Sequence, residues 1–197
     1  MNQSNKEYIN LLVKSGVHTF QNDSPNNLYN SPNITSDVKT IKIQKNLEKI
    51  TNISELSLTI NAFENPLKQT ANKLVIYDGN IKSNIMIIGE APGRDEDEQG
   101  KPFVGKAGQL LDKMLSAIDL KREEIYITNV LPWRPPNNRT PTENEILEFL
   151  PFLQKQIEIV SPKYIFLMGS TAAKAILATP LSLSKLRGKW YQYKTAN

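Results

Sequence analysis

The chain has no cysteine and only one histidine, His18, among its 197 residues. Without thiols it can form neither a disulfide nor a metal cluster that is held by thiolates. A single histidine also excludes the usual zinc sites, which take their ligands from several cysteines and histidines. Because the single histidine lies near the N-terminus, catalysis by a histidine in the C-terminal part of the chain is also excluded.

Long hydrophobic runs and a strong charge bias are missing as well. The N-terminal apolar stretch covers only residues 9–13 and has polar flanks, so it is too short for a signal peptide or a membrane span. We therefore expect a cytoplasmic protein that does not associate with membranes. The net charge of +4 permits a nucleic-acid partner but does not by itself indicate one.

The composition changes once along the chain and predicts two parts. Residues 6–15 have the apolar spacing of a short amphipathic helix, and residues 21–36 are rich in Asn, Ser and Pro. We predict an N-terminal helix with a flexible linker over residues 1–40 and one main domain over residues 41–197. That length is enough for a domain with a sizeable core.

The main domain alternates short apolar runs with helical patterns. Strands are predicted at residues 73–77, 84–89, 124–131 and 163–168, and helices at residues 41–63, 108–120, 142–160 and 169–178. The third of these helices begins at a Thr142–Glu145 capping box, and Pro151 should kink or break it. The pattern predicts an α/β fold, a three-layer α/β/α sandwich with a central, mainly parallel sheet. In such sheets the ligand site lies at the carboxyl ends of the strands.

The loop after the second strand combines tight turns with charge. Gly89-Glu-Ala-Pro-Gly93 leads into five charged residues, 94–98, which could supply a base for water. The alternative is a solvated acidic loop. Neither phosphate-binding glycine pattern is present here. Phe103 lies further along the same loop. Its ring either packs in the hydrophobic core or forms a surface on which an extruded base stacks.

The loop after the third strand is rich in proline and carries two arginines. Asn129 ends the strand, where its amide could read a base edge or simply form a turn. Arg134 and Arg139 follow and are suited to phosphate contact, or they serve only solubility.

Together these segments resemble the type-4 uracil-DNA glycosylases. The motifs are GEAPGRDEDEQGKPFVGKAGQLL and YITNVLPWRPPNNRTP, with a weaker LRGKWYQY near the C-terminus. The resemblance covers roughly residue 56 onwards, and its first motif is long and specific.

The resemblance implies a role for each matching residue. Gly89, Glu90, Ala91 and Pro92 would line the uracil pocket, and Phe103 would stack on the base. Glu96 would position or deprotonate the attacking water, and Asn129 would read the uracil edge. Contact with DNA would come from Lys106, Arg134 and Arg139. Uracil-containing DNA is the implied partner, and we expect a monomer.

The chain departs from the family in two respects. Many members hold an iron–sulfur cluster with four cysteines, and the motif spacing places those positions on Ala62, Asn65, Trp133 and Phe149. None of these residues can bind iron, so we expect no cluster and no other cofactor or metal. The family normally continues into a strand and a loop that reads H-P-[SA]-x-L, so we expect this domain to be C-terminally truncated.

Three hypotheses follow. The first is a DNA-repair hydrolase that cleaves the N-glycosidic bond of uracil in DNA, with activity that the truncation could impair. The second is a truncated, non-catalytic remnant that binds uracil or DNA. The third, an unrelated nucleotide-binding α/β module, is disfavoured because both phosphate-loop patterns fail.

Overall fold

The structure is a computed structural model that describes residues 47–193. The predicted N-terminal helix and linker, and the first residues of the predicted main domain, lie outside this range. The described helices are α1 (Ile53–Ala62), α2 (Pro66–Thr70), α3 (Arg94–Gln99), α4 (Lys106–Ser116), α5 (Glu143–Val160), α6 (Ser170–Leu177) and α7 (Leu183–Leu186). The strands are β1 (Tyr77–Gly79), β2 (Ile85–Gly89), β3 (Tyr126–Asn129) and β4 (Tyr164–Leu167).

The four strands form one sheet in the order β1-β3-β2-β4. β2 pairs in parallel with both β3 and β4, whereas β1 runs antiparallel to β3 at the edge. The sheet is therefore mainly parallel, as predicted. Because β2 and β3 are neighbours in parallel register, with Gly89 opposite Asn129, the two loops singled out in the sequence leave the sheet side by side.

Side chains alternate between two faces of the sheet, and helices cover both. Met86, Ile88 and Tyr126 pack with residues of α1, α5 and α6 in the larger core. Ile87 and Ile127 pack on the opposite face with residues of α4. The predicted three-layer α/β/α sandwich is confirmed by this arrangement. Of the described helices, none is both long and apolar enough to cross a membrane.

The predicted helix over residues 41–63 is wrong as a continuous element. In its described part a new helix, α1, begins after Asn52, whose side chain accepts a 2.9 Å hydrogen bond from the Glu55 N–H. An asparagine in this position satisfies an otherwise unpaired helix N–H and so favours a helix start over continuation.

The predicted first strand is also displaced. The strand covers Tyr77–Gly79, and only Tyr77 lies within the predicted residues 73–77. Val75 and Ile76 are buried, but the Val75 N–H donates to the Pro132 carbonyl, in the loop after β3, over 2.9 Å. The apolar side chains of Val75 and Ile76 thus correctly predict a buried segment. The segment is not a strand, because the Val75 backbone pairs with a loop.

Two helices can be compared with their sequence patterns in detail. α5 runs through Pro151 as one helix, so of the predicted kink or break the break does not occur. Buried side chains on both sides of the proline, such as Phe149 and Leu153, hold the helix against the core. On α4, Leu111 and Leu115 are buried. Three other apolar side chains in or just after this helix are exposed: Leu110, Met114 and Ile118.

Candidate active site

A cavity of about 650 Å³ opens at the carboxyl ends of β2 and β3. It is lined by the two loops that follow these strands and by the start of α4. The residues that line it include Glu90, Ala91, Arg94, Asp95, Glu96, Phe103, Lys106, Asn129, Arg134 and Asn138. The cavity therefore lies where the sequence predicts a ligand site for a parallel sheet.

The floor of the cavity depends on Gly89. A Cβ atom on this residue would lie 2.4 Å from the Asn129 Oδ1 and 2.5 Å from the Phe103 Cζ. The aromatic ring and the amide thus both contact the backbone of the last residue of β2. Gly89 itself does not line the cavity but allows the two predicted base-binding side chains to converge.

Phe103 has a backbone conformation that few non-glycine residues adopt. Its φ is +56°, in the left-handed region. The chain also passes close to Gly108, because a Cβ there would lie 1.7 Å from the Phe103 carbonyl oxygen. The loop is thus held in a strained and crowded path, which is common where a structure presents a side chain to a ligand.

Glu96 ties this loop to the segment before it. Its Oε1 accepts hydrogen bonds from the Val104 and Gly105 N–H groups, over 2.9 and 2.7 Å, and its Oε2 accepts one from Gly93 over 3.1 Å. An ionised carboxylate has about four acceptor sites. Three are used here, so the carboxylate can accept about one further hydrogen bond.

The acidic run around Glu96 is a helix, so its interpretation as a solvated loop is wrong. α3 has three acidic residues in its first turn, where the positive end of the helix dipole stabilises negative charge. One of them, Asp97, is fully buried and accepts hydrogen bonds from the Asn72 N–H and side-chain amide, both 2.8 Å, and from the Lys73 N–H, 3.1 Å. These bonds fix α3 against the body of the domain.

The structure shows a contact of Glu90 that the sequence analysis did not consider. Glu90 was predicted to line the pocket and does lie in the cavity wall, where its side chain accepts a hydrogen bond from the Thr171 hydroxyl of α6. Residues 90 and 171 are far apart in sequence. No local pattern predicts this contact.

The three predicted DNA-contacting cations occupy different environments. Lys106 and Arg134 line the cavity, and Lys106 has no carboxylate partner among residues 47–193. Arg134 donates to Asn138 over 2.6 Å. Arg139 does not line the cavity and donates two hydrogen bonds to Glu145, over 2.8 and 2.6 Å, so its charge is already paired. Arg94, which the sequence analysis did not single out, is a cavity-lining cation.

Pro92 and Gly89, two of the predicted pocket residues, are buried rather than cavity-lining. The others, Glu90, Ala91, Phe103 and Asn129, surround one cavity together with Glu96. The roles assigned to these residues stay predictions, since proximity alone does not establish what each one does.

The profile of the uracil DNA glycosylase superfamily matches residues 76–196. The chain belongs to this superfamily. The match begins just before β1 and includes the whole cavity.

Several curated relatives are named type-4 uracil-DNA glycosylases. The chain is 44% identical to that of Pyrobaculum aerophilum over 66% of its own length and 69% of the relative. It is 45% identical to that of Archaeoglobus fulgidus, over 64% of the chain and 65% of the relative. For Sulfurisphaera tokodaii the identity is 46%, over 65% and 60%. The chain thus spans roughly two thirds of the length of these relatives.

The four positions to which the resemblance assigns cluster cysteines do not fit an iron–sulfur cluster here. Trp133 and Phe149 are buried, and their rings pack edge to face with centroids 5.5 Å apart. Asn65 caps α2 and donates to Glu148 over 2.6 Å. No position offers a thiolate, and two of the four are filled by packed rings. Among the described residues no group of acidic or histidine side chains could hold a metal ion.

Proposed function

We propose that this chain is a uracil-DNA glycosylase, which hydrolyses the N-glycosidic bond between uracil and deoxyribose in DNA. The observation that carries the proposal is the convergence of the Phe103 ring and the Asn129 amide over Gly89, in a cavity that is also lined by carboxylates, among them Glu90 and Glu96. A planar base would stack on the ring while the amide hydrogen-bonds to its edge. The relatives' activity supports the same substrate.

The proposed reaction follows from the charges that develop as the bond breaks. The departing base becomes anionic and the sugar becomes cation-like, so donors must face the base and carboxylates must lie near the sugar. Asn129 and the backbone after β2 are suited to the base. Glu96 has an acceptor site left for the attacking water, and Glu90 supplies a further negative charge in the cavity.

Lys106, Arg134 and Arg94 would contact phosphates on either side of the extruded nucleotide, because all three line the cavity. We place Arg139 second to these, since it lies outside the cavity. We further propose that the enzyme acts as a monomer in the cytoplasm. The non-catalytic alternative is not favoured, because the stacking, edge-reading and acidic side chains are present together.

The test is release of uracil from an end-labelled oligonucleotide that contains one uracil, single-stranded or paired with guanine. We expect strand breaks after alkali only at uracil, with thymine and cytosine oligonucleotides unchanged. Asn129→Ala should lower the single-turnover rate about 100- to 1000-fold, as loss of one donor to a developing anion does. Asn61→Ala, on the exposed face of α1, is the matched control. Absence of uracil release by the well-folded parent would refute the proposal.

We also propose that the reaction needs no iron–sulfur cluster. The packed rings of Trp133 and Phe149 support this. After anaerobic incubation with iron and sulfide, the repurified protein should show no visible absorption from thiolate-bound iron and an unchanged rate. Stoichiometric iron and sulfide in that preparation would contradict the proposal.

A further inference from the structure

Arg122 lies outside the cavity, in the turn before β3, yet it connects three parts of the domain. Its Nε donates to Asp78 of β1 over 2.6 Å, and its Nη1 donates to Asp112 of α4 over 2.9 Å. Its Nη2 donates to the backbone carbonyl of Pro102. All three guanidinium nitrogens are therefore used, each on a different segment.

The third of these bonds reaches the loop that presents Phe103. Pro102 immediately precedes Phe103, whose φ is +56°. On the other side, the Val104 and Gly105 N–H groups donate to Glu96. Phe103 is thus flanked by two anchors, a cation on the preceding carbonyl and an anion on the following amides. Such anchors are needed because a left-handed residue of this kind persists only where its surroundings enforce it.

The anchor on the Pro102 side is partly shielded from water. The side chains of Arg122 and Asp78 are only 19% and 18% exposed. Burial raises the pKa of Asp78, but the hydrogen bond and charge of Arg122 and the charge of Lys101 outweigh it, so that this pKa lies below its ordinary value. The pair stays ionised at neutral pH, and the guanidinium is held in one orientation by its carboxylate partners.

We propose that Arg122 is a positioning residue, which sets the place of the Phe103 ring by holding the Pro102 carbonyl. The inference rests on the proposed function, in which Phe103 stacks on the base. Arg122 does not line the cavity and touches no reacting atom. The competing explanation is that Arg122 only joins β1 to α4, in which case the Phe103 loop is indifferent to it.

The first test needs no substrate. Hydrogen exchange of the Val104 and Gly105 amides, measured by NMR, reports whether the loop is held. In Arg122→Ala we expect exchange roughly tenfold faster or more, the factor expected from losing a hydrogen bond to a charged group. Lys155→Ala, which removes another mostly buried cation that pairs with Glu158 on α5, should leave these two amides unchanged.

Arg122→Lys keeps the positive charge but removes the planar guanidinium, so it tests the geometry alone. It also provides the test if Arg122→Ala does not fold. A lysine can still pair with Asp78, but one ammonium cannot reproduce the planar fork that reaches Asp78, Asp112 and Pro102 together. We expect a melting temperature near that of the parent together with faster exchange of the Val104 and Gly105 amides. Parental exchange in the folded lysine variant would overturn the proposal.

The second test asks whether the effect on activity passes through Phe103. Arg122→Ala should lower the single-turnover rate of uracil release about 10- to 100-fold, since a misplacement near 1 Å can cost that much. In a Phe103→Ala background the same change should cost less than about threefold, because the ring to be positioned is gone. Equal losses in both backgrounds would overturn the proposal. If the parent releases no uracil, the proposed function fails, and the exchange experiment still decides whether Arg122 holds the loop.

Discussion

The Phe103 ring lies against the backbone of Gly89, so closely that a Cβ on Gly89 would be 2.5 Å from the Phe103 Cζ. Asn129, opposite Gly89 in the register of β2 and β3, contacts the same backbone from the neighbouring strand. One glycine at the end of a buried strand therefore sets the spacing of the two side chains that would bind the base.

We expect Gly89→Ala to abolish most uracil release. The added methyl group cannot fit unless the Phe103 ring or the Asn129 amide moves. Displacement of either group by about 1 Å should lower the single-turnover rate about 100-fold. Overpacking should cost about 1–3 kcal/mol of unfolding free energy. The measurements are single-turnover uracil release and urea unfolding.

The control for this change is Gly188→Ala. Gly188 has φ of +74° and open space where a Cβ would stand. Alanine there is strained by about 1–2 kcal/mol, yet it displaces nothing at the cavity. We expect a comparable loss of stability without loss of rate. If Gly89→Ala retains the parental rate, the ring and amide are not confined as described.

Two of the cavity carboxylates, Glu96 and Glu90, should respond differently to neutralisation. Glu96→Gln places an amide NH₂ among three backbone N–H groups, so we expect losses of both stability, about 1–3 kcal/mol, and rate. Glu90→Gln removes one charge, and its side chain accepts a hydrogen bond only from Thr171 among the described residues. It should lower the rate about 100-fold with little change in stability.

Urea unfolding and single-turnover release, measured on the same samples, separate these outcomes. A fully active Glu96→Gln would remove Glu96 from the reaction, and a fully active Glu90→Gln would do the same for Glu90. Thr171→Val is a further comparison, because it removes the hydroxyl that contacts Glu90 while keeping the side-chain volume similar.

The aromatic side chains at the family's cluster positions should behave as ordinary core. Phe149 is fully buried and its ring contacts those of Phe63, Phe152 and Trp133. Phe149→Ala should cost about 3–5 kcal/mol of unfolding free energy. Trp190→Ala, at a side chain that is 79% exposed, is the control and should cost far less. A small loss for Phe149→Ala would mean that the rings do not support the fold there.

The sequence predicts the central elements of this fold because their signals are local. β2, β3 and β4 are short apolar runs, and the start of α5 is marked by the Thr142–Glu145 capping box, whose bonds are present at 2.8 and 3.2 Å. Because β2 and β3 are parallel, the loops that follow them must leave the sheet at the same end, where the carboxyl ends of the strands lie.

The remaining features depend on contacts between distant residues. Val75 is apolar like a strand residue, but its partner is a loop carbonyl far along the chain. Arg122 and Pro102 are separated by 20 residues, and Glu90 and Thr171 by 81. Composition and periodicity carry no information on such pairs, so neither the anchor of the Phe103 loop nor the Glu90–Thr171 contact could be predicted.

The Arg139–Glu145 pair makes stability depend on pH. Hydrogen bonds from Arg139, and then those from Thr142, lower the pKa of Glu145 from its usual 4.5 to about 2. Because the pKa is lower in the folded state, the pair stabilises the fold above about pH 4.5 and loses this effect as the pH falls towards 2. The unfolding free energies of the parent and Glu145→Gln should therefore differ most near neutral pH and converge in acid.

Glu143→Gln, which changes an exposed carboxylate in the same helical turn, is the matched control. A parent–Glu145→Gln difference that stays constant down to about pH 2 would show that the ion pair does not lower this pKa.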